Sequence, residues 1–169
     1  MIHIGIDPGI NGAVALVRVR GIGRVFDTPT ISVKGSSKKE YNAPSMANLM
    51  REISTIVRTD TSVYIEKVSA MPGQGVTSMF NFGKGYGIWL GILAAAGIPY
   101  TLVTPQRWRK EMMKGMAKDQ VKARAIQLFP HLGSSLARVK DEDRAVALLL
   151  AELSRREENA IQQPQLRDK

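Results

Sequence analysis

Ile4-Gly5-Ile6-Asp7-Pro8-Gly9 near the start of the chain and Val63-Tyr64-Ile65-Glu66-Lys67 in its middle share one plan: a β-rich apolar run that ends in a single carboxylate. A carboxylate at that point sits at the rim of a buried sheet, where it stays charged only beside a partner or a metal ion. Two such carboxylates on neighbouring strands form a site for a hard divalent cation, which takes oxygen ligands.

The surrounding pattern supplies the sheet. Ile2 to Ile6 reads as a fully buried strand, Gly9 to Gly12 as a turn, and Ala13 to Val19 as a second strand. Arg24 to Asp27 is a short third strand, which completes an antiparallel meander. Lys34 to Tyr41 is lysine-rich around Gly35-Ser36-Ser37 and predicts a mobile loop. Ser45 to Val57 carries Met46, Leu49, Met50, Ile53 and Ile56 or Val57 at helical spacing. Ser62 to Ile65 is a fourth strand, and Ala70 to Val76 a loop with a proline and two glycines. A helix follows from about Ser78 to Ala96. Gly83 and Gly87 inside it predict close approach to another backbone, since glycine otherwise weakens a helix.

Ile98 to Val103 is the fifth strand, and Thr104-Pro105 starts a new helix with threonine as cap and proline in the first turn. Lys118 to Phe129 reads as helical, stopped by Pro130. The last helix spans Asp141 to Arg156, with Ala145, Leu148, Leu149 and Leu153 lining one side. Three strands followed by alternating helix and strand predict an α/β fold: a mixed five-stranded sheet, its first three strands antiparallel, flanked by helices. One domain over residues 1–156 and a polar, proline-containing, frayed tail over 157–169 are expected.

The chain has 169 residues, enough for one core of ordinary size. Cysteine is absent, which excludes disulfides and thiolate metal sites. No apolar run is long enough to span a bilayer, and Met1 leads into a strand pattern with no basic-then-apolar leader, so a cytoplasmic protein is expected. The formal net charge of +9 points to a polyanion partner, with nucleic acid the natural choice. Basic residues crowd between the fifth strand and Pro130: Arg107, Arg109, Lys110, Lys114, Lys118, Lys122 and Arg124, with Trp108 interleaved. Their simpler reading is a solvated helix face over a buried tryptophan. Lys118 and Lys122 on one helical face, and Arg107 with Lys110 on another, suit phosphate contacts, which give affinity with little sequence information. Lys34, Lys38 and Lys39 offer a further basic loop. His3, in a strand, and His131, in a turn, carry no ligand pattern.

Asp7 alone reads as a turn cap at Asp-Pro-Gly. Glu66 alone reads as half of a salt bridge to Lys67 or another base. A third acidic cluster, Lys140-Asp141-Glu142-Asp143-Arg144, reads alone as acids at the positive end of a helix dipole. Together, carboxylates from two strand ends and a helix start can hold two Mg²⁺ ions about 4 Å apart, the arrangement of two-metal phosphoryl transfer. A basic protein with such a site reads as a nuclease.

On these residues the sequence resembles the RuvC-like Holliday junction resolvases of the ribonuclease-H-like nuclease superfamily. The matching pieces run in order from Ile2 to about Leu153: Gly5-Ile6-Asp7-Pro8-Gly9, Ile65-Glu66-Lys67-Val68, Asn81-Phe82-Gly83-Lys84-Gly85-Tyr86-Gly87, Val103-Thr104-Pro105, Ala117-Lys118-Asp119-Gln120-Val121 and Asp143-Arg144-Ala145-Val146-Ala147. The resemblance implies a ribonuclease-H-like sheet flanked by helices. It implies a homodimer that cuts two opposed strands of a four-way DNA junction with Mg²⁺ or Mn²⁺. Asp7, Glu66 and Asp143 fall on the family's metal-binding acids, and Lys118 on a basic position associated with the scissile phosphate. The long central helix is expected at the dimer interface.

Two departures stand out. The family's second acid, one turn after the position of Asp143, is Val146 here, which cannot bind a metal. Glu142 lies four residues before it on the same helical face and can reach back. Asp141 is the alternative if the helix has not yet begun. The family's base-stacking aromatic after the central glutamate is replaced by Ser69 and Ala70, leaving Phe80 or Phe82 to serve, with core packing as their simpler role. A junction-binding protein with weak or lost catalysis is therefore the second reading. A third is an ATP-binding protein of the actin and sugar-kinase type, for whose two lobes the chain is too short.

Overall fold

The computed structural model describes residues 1–18, 21, 23–56, 61–70, 73 and 75–162. The expected sheet forms with all five strands: β1 (Ile2–Asp7), β2 (Ala13–Arg18), β3 (Gly23–Asp27), β6 (Thr61–Glu66) and β7 (Tyr100–Val103), in the order β3-β2-β1-β6-β7. β1 pairs antiparallel with β2, which pairs antiparallel with β3, while β6 runs parallel to both β1 and β7. β1 thus lies at the centre, buried on both faces, as its near-continuous apolar reading demands. The final residues of the predicted second strand and first helix, Val19 and Val57, lie outside the described residues.

Alternation of side chains divides the core in two. Ile4, Ile6, Val14, Leu16, Val63 and Ile65 face α1 (Ala43–Ile56) and α2 (Val76–Ala95), together with Trp89 and Leu93. Ala13, Ala15, Val17, Tyr64 and Val103 face the other way, onto α3 (Pro105–Met112), α4 (Val121–Leu128) and α5 (Glu142–Gln162). Asp7 is in phase with Gly5, and Glu66 with Tyr64, so both carboxylates project on the α5 side.

Close approach of elements occurs here, not at the glycines the helical spacing singled out. A Cβ built on Gly5 would overlap the carbonyl oxygen of Ala147, so only glycine lets α5 lie against the central strand. In α2 the crowded glycine is Gly85, whose added Cβ would strike the ring of Tyr41, whereas Gly83 and Gly87 face open space. Tyr41 explains a second departure. The expected loop over Lys34 to Tyr41 is the end of a small hairpin, β4 (Thr30–Ser32) with β5 (Lys39–Tyr41). Tyr41 anchors it by burying its ring against α2 and donating its hydroxyl to the Pro8 carbonyl at 3.4 Å.

The C-terminal half differs in three places. α4 begins at Val121, after a turn, so Lys118 and Lys122 do not share a helical face. α5 is not amphipathic at its centre: Ala145 to Ser154 is buried without interruption, because the sheet takes one side and α3 and α4 the other. The helix also continues beyond Arg156 to Gln162. Glu157 belongs to the fold, accepting hydrogen bonds from the Tyr64 hydroxyl and from Arg107. Residues 163–169 of the expected tail lie outside the described residues. Among the described residues no helix is long and apolar enough to cross a membrane.

Candidate active site

Register and helix pitch bring three acids to one place. β1 and β6 are parallel with Ile6 opposite Ile65, so Asp7 and Glu66 end adjacent strands at the same sheet edge. Ala147 sits on Gly5, and Asp143 is four residues before Ala147, about 6 Å along the helix axis. Asp7 is two strand residues beyond Gly5, about 6.7 Å. The two offsets nearly match, which sets the start of α5 over the end of β1.

The electrostatics record that convergence. Asp7 is buried, and its carboxyl is pushed well above the ordinary range, first by burial, then by the charges of Glu66 and Asp143, with Glu142 adding to them. Among the described residues its one hydrogen bond comes from the Gly9 N–H to Oδ1 at 3.0 Å, which opposes the shift. The turn-cap reading of Asp7 therefore holds, and the same carboxyl faces Glu66 and Asp143. Asp143 is pushed up to about 6 by burial and by Glu142 and Glu66. Glu66 is raised by burial and held down in part by a hydrogen bond from Trp108 and by the nearby Arg109. Among the described residues no lysine, arginine or histidine pairs with Asp7, Glu66, Glu142 or Asp143 within 4 Å; the salt bridge from Glu66 to Lys67 is not made. Nor do any three of the described acids and histidines stand in a ready-made metal cage.

Asp141, the alternative fourth ligand, is engaged elsewhere. It lies in the 3₁₀ turn Val139–Asp141, almost fully buried, and takes Arg138 at 2.7 Å and Arg144 at 3.7 Å. Its Oδ2 also accepts the Arg138 N–H at 2.7 Å, and it is not among the charges that raise Asp7. Val146 is buried in the α5-side core.

Helix α3 braces the other flank. Thr104 caps it by accepting the Arg107 N–H at 3.2 Å, as its sequence predicts. Three consecutive residues then point to three partners. Arg107 donates from Nη2 to both carboxylate oxygens of Glu157 and lies over the Tyr64 ring. Trp108 is fully buried and donates its indole N–H to Glu66 Oε1 at 2.7 Å. Arg109 stacks on the Trp108 ring at 4.6 Å and donates to the Lys118 carbonyl at 3.2 Å. Trp108 is the site residue that periodicity misses: it reads as a core tryptophan, which it is. The available signal is that a buried indole N–H needs an acceptor.

Of the remaining basic residues, Lys110, Lys114 and Lys118 are exposed. Lys122 is half-buried and donates to the Arg138 carbonyl at 2.9 Å, while Arg124 donates to the Met112 carbonyl. Phe80 is 72% exposed in the first turns of α2. Phe82 is half-buried against the Gly9 turn beside Asp7. His3 is consumed in a buried chain to Ser154 and Ser62 at the opposite sheet edge, and His131 accepts the Gly23 N–H.

No family model matches the chain, and no curated protein matches it in sequence. Solved structures do match. Thermus thermophilus RuvC in complex with a Holliday junction substrate is 20% identical, with 89% of this chain aligned to 90% of that one at a TM-score of 0.57. A second Thermus thermophilus RuvC structure is 19% identical over 93% of this chain and 97% of its own, at 0.55. The chain has the RuvC-like fold, a ribonuclease-H-like α/β sheet, that the sequence resemblance implies.

Proposed function

We propose that the protein is an endonuclease that resolves four-way DNA junctions by paired, metal-dependent phosphodiester hydrolysis. One observation carries the reading. Asp7, Glu66 and Asp143 meet at the rim of a RuvC-like sheet, and among the described residues no cation forms a salt bridge with any of them, Arg109 standing only near Glu66. Burying carboxylates against one another is costly, and a divalent cation offsets the cost.

The donor set fits Mg²⁺, with Mn²⁺ as substitute: it is all carboxylate, supplied by Asp7, Glu66 and Asp143. Glu142, exposed at the first position of α5 and felt by both Asp7 and Asp143, takes the place left by Val146. A pair of such ions, when bound, activates water and stabilises the departing 3′ oxygen. The chain itself holds the substrate. Lys118 steadies the scissile phosphate, its loop tied to α3 through Arg109. Arg107, Arg109, Lys110, Lys114 and Lys122 line the approach as phosphate contacts; Arg107 and Lys122 serve only by sharing or leaving their present partners. Phe80, exposed on α2, is the better placed of the two phenylalanines to stack on an unpaired base.

Two opposed cuts need two sites, and a homodimer supplies them. A groove of about 590 Å³ between α1 and α2, lined by Met50, Gly87, Ile88, Gly91, Ile92 and Ala95, is the apolar surface that supports this assembly through α2.

The test is cleavage of a synthetic four-way junction in Mg²⁺ and in Mn²⁺, against an Asp7→Asn control. Paired nicks that need metal and Asp7 support the enzyme. Tight junction binding with no cutting in either metal establishes the second reading, a binding protein whose catalysis went with Val146.

A further inference from the structure

We propose that Trp108 is a positioning residue for Glu66, fixing one carboxylate oxygen so that the other is presented to the metal; this rests on the site reading above. Trp108 has no exposed surface and cannot touch DNA or solvent. Its indole N–H nevertheless ends 2.7 Å from Glu66 Oε1, the one side-chain hydrogen bond that Glu66 accepts among the described residues. An indole is a donor only, so the bond takes one lone pair of one oxygen and leaves Oε2 unoccupied. The ring is itself clamped. Arg109 covers it at 4.6 Å, and the Thr104 cap fixes the turn of α3 that carries it. A rigid donor that selects one carboxylate orientation is what an outer-shell partner of a metal ligand provides, at about 10- to 100-fold in metal affinity.

The same helix links this carboxylate to the phosphate side of the site. Arg109, stacked on Trp108, binds the Lys118 carbonyl. One indole therefore meets Glu66 at its N–H edge and, through Arg109 over its face, the Lys118 turn.

The protein carries its own readout. It has two tryptophans. Trp89 is also fully buried, but its indole N–H has no acceptor among the described residues. In the ¹⁵N-labelled full chain, two indole N–H signals are expected, with Trp108 well downfield of Trp89 because its bond is charge-assisted. Glu66→Gln is expected to move the Trp108 signal upfield and leave Trp89 in place. Titrating the wild-type protein with Mg²⁺ alone is expected to shift Trp108 and not Trp89. Trp108→Phe is expected to weaken Mg²⁺ binding by calorimetry about tenfold or more, and to lower kcat for junction cleavage more than it raises KM.

A Trp108 signal that ignores both Glu66→Gln and Mg²⁺ overturns the proposal, as does a folded Trp108→Phe protein with unchanged Mg²⁺ affinity. The wild-type titration needs no variant, so a Trp108→Phe chain that fails to fold leaves the test intact. The two readings also fail separately. A junction that is never cut, with a Trp108 signal that still answers to Glu66 and Mg²⁺, sinks the nuclease and keeps the positioning role. Cleavage with a silent signal does the reverse.

Discussion

Two carboxylate clusters sit at the same edge of this sheet, and they are built on opposite terms. Around Asp141 every acid has an arginine: Arg138 and Arg144 hold Asp141, and Arg144 also grips Asp27 through Nε and Nη2. Both carboxyls are held below the ordinary range by those partners. Two residues along, Asp143 has no such partner and is pushed up to about 6, facing Asp7 and Glu66, which are raised as well. The paired cluster is satisfied by the chain and stabilises the turn that starts α5. The unpaired cluster opposes folding: burial and mutual charge raise all three carboxyls, and the Gly9 and Trp108 hydrogen bonds and the nearby Arg109 offset only part of it. Proximity in sequence says nothing about which is which; the presence of an arginine within reach decides it.

The contrast breaks most visibly in activity. Asp7→Asn removes the carboxylate proposed as the central ligand and keeps an acceptor for the Gly9 N–H. Junction cleavage is expected to fall about 10³-fold, as losing several kcal/mol of transition-state stabilisation requires. The same variant is expected to be more stable than the wild type at pH 7 without metal, by about 1 kcal/mol, since a buried charge facing other charges is gone. Cleavage rates and urea melts on one protein sample check both halves.

The paired cluster gives the opposite result. Asp141→Asn is expected to leave the metal ligands in place but to cost about 2 kcal/mol. Breaking a fully buried pair costs about 3–5 kcal/mol. The figure here is lower because Arg138 is half exposed and Arg144 keeps Asp27. The midpoint of thermal unfolding then drops by about 4–8 °C. A loss as large for Asp143→Asn as for Asp141→Asn would erase the distinction between the clusters.

Stability against pH separates them by sign. A carboxyl raised in the folded state binds more protons folded than unfolded, so it weakens the fold as pH climbs from about 4 through its folded value, near 6 for Asp143. The lowered carboxyls of Asp27, Asp141 and Glu152 do the reverse: their contribution is present above about pH 4 and is lost as pH falls through their folded values. Metal-free protein is therefore expected to be most stable near pH 4. The decline that begins there and runs through about pH 6 should flatten in an Asp7→Asn, Asp143→Asn double variant and on adding Mg²⁺. Urea midpoints measured from pH 4 to 8 settle it.

Much of this was legible in the chain, and the physical reason is that strands declare themselves by local pattern. The apolar runs before Asp7 and Glu66 place both acids at strand ends, and parallel pairing brings those ends together. What stayed hidden depends on partners far away in sequence. Gly5 reads as one more small strand residue until α5 lies on it. The spacing of Gly83 and Gly87 drew attention to the wrong glycines, because crowding of Gly85 depends on Tyr41. Ala145 to Ser154 looks one-sided because leucines and alanines do not reveal that α3 and α4 cover the far side. Trp108 is indistinguishable from a core residue until its N–H is followed to Glu66, 42 positions away. Asp141 and Asp143 carry the same side chain two residues apart, and only Arg138 and Arg144 tell them apart.

Glu142 is where the contrast is finest. It is the first residue of α5, exposed, and its charge bears on Asp143 more than that of any other residue. Exposure gives it freedom to turn toward the unpaired cluster, while a buried Val146 has neither the freedom nor the oxygen. Glu142→Gln is expected to lower the Asp143 carboxyl from about 6 toward the ordinary aspartate range, read by ¹³C NMR titration of the metal-free protein. If Glu142 does no more than repel, the variant should bind Mg²⁺ as well as the wild type or better, because the remaining acids are easier to ionise. If it supplies the oxygen that Val146 cannot, Mg²⁺ binding should weaken in spite of that easier ionisation. The two effects have opposite signs, so the direction of the change in affinity, however small, assigns the residue.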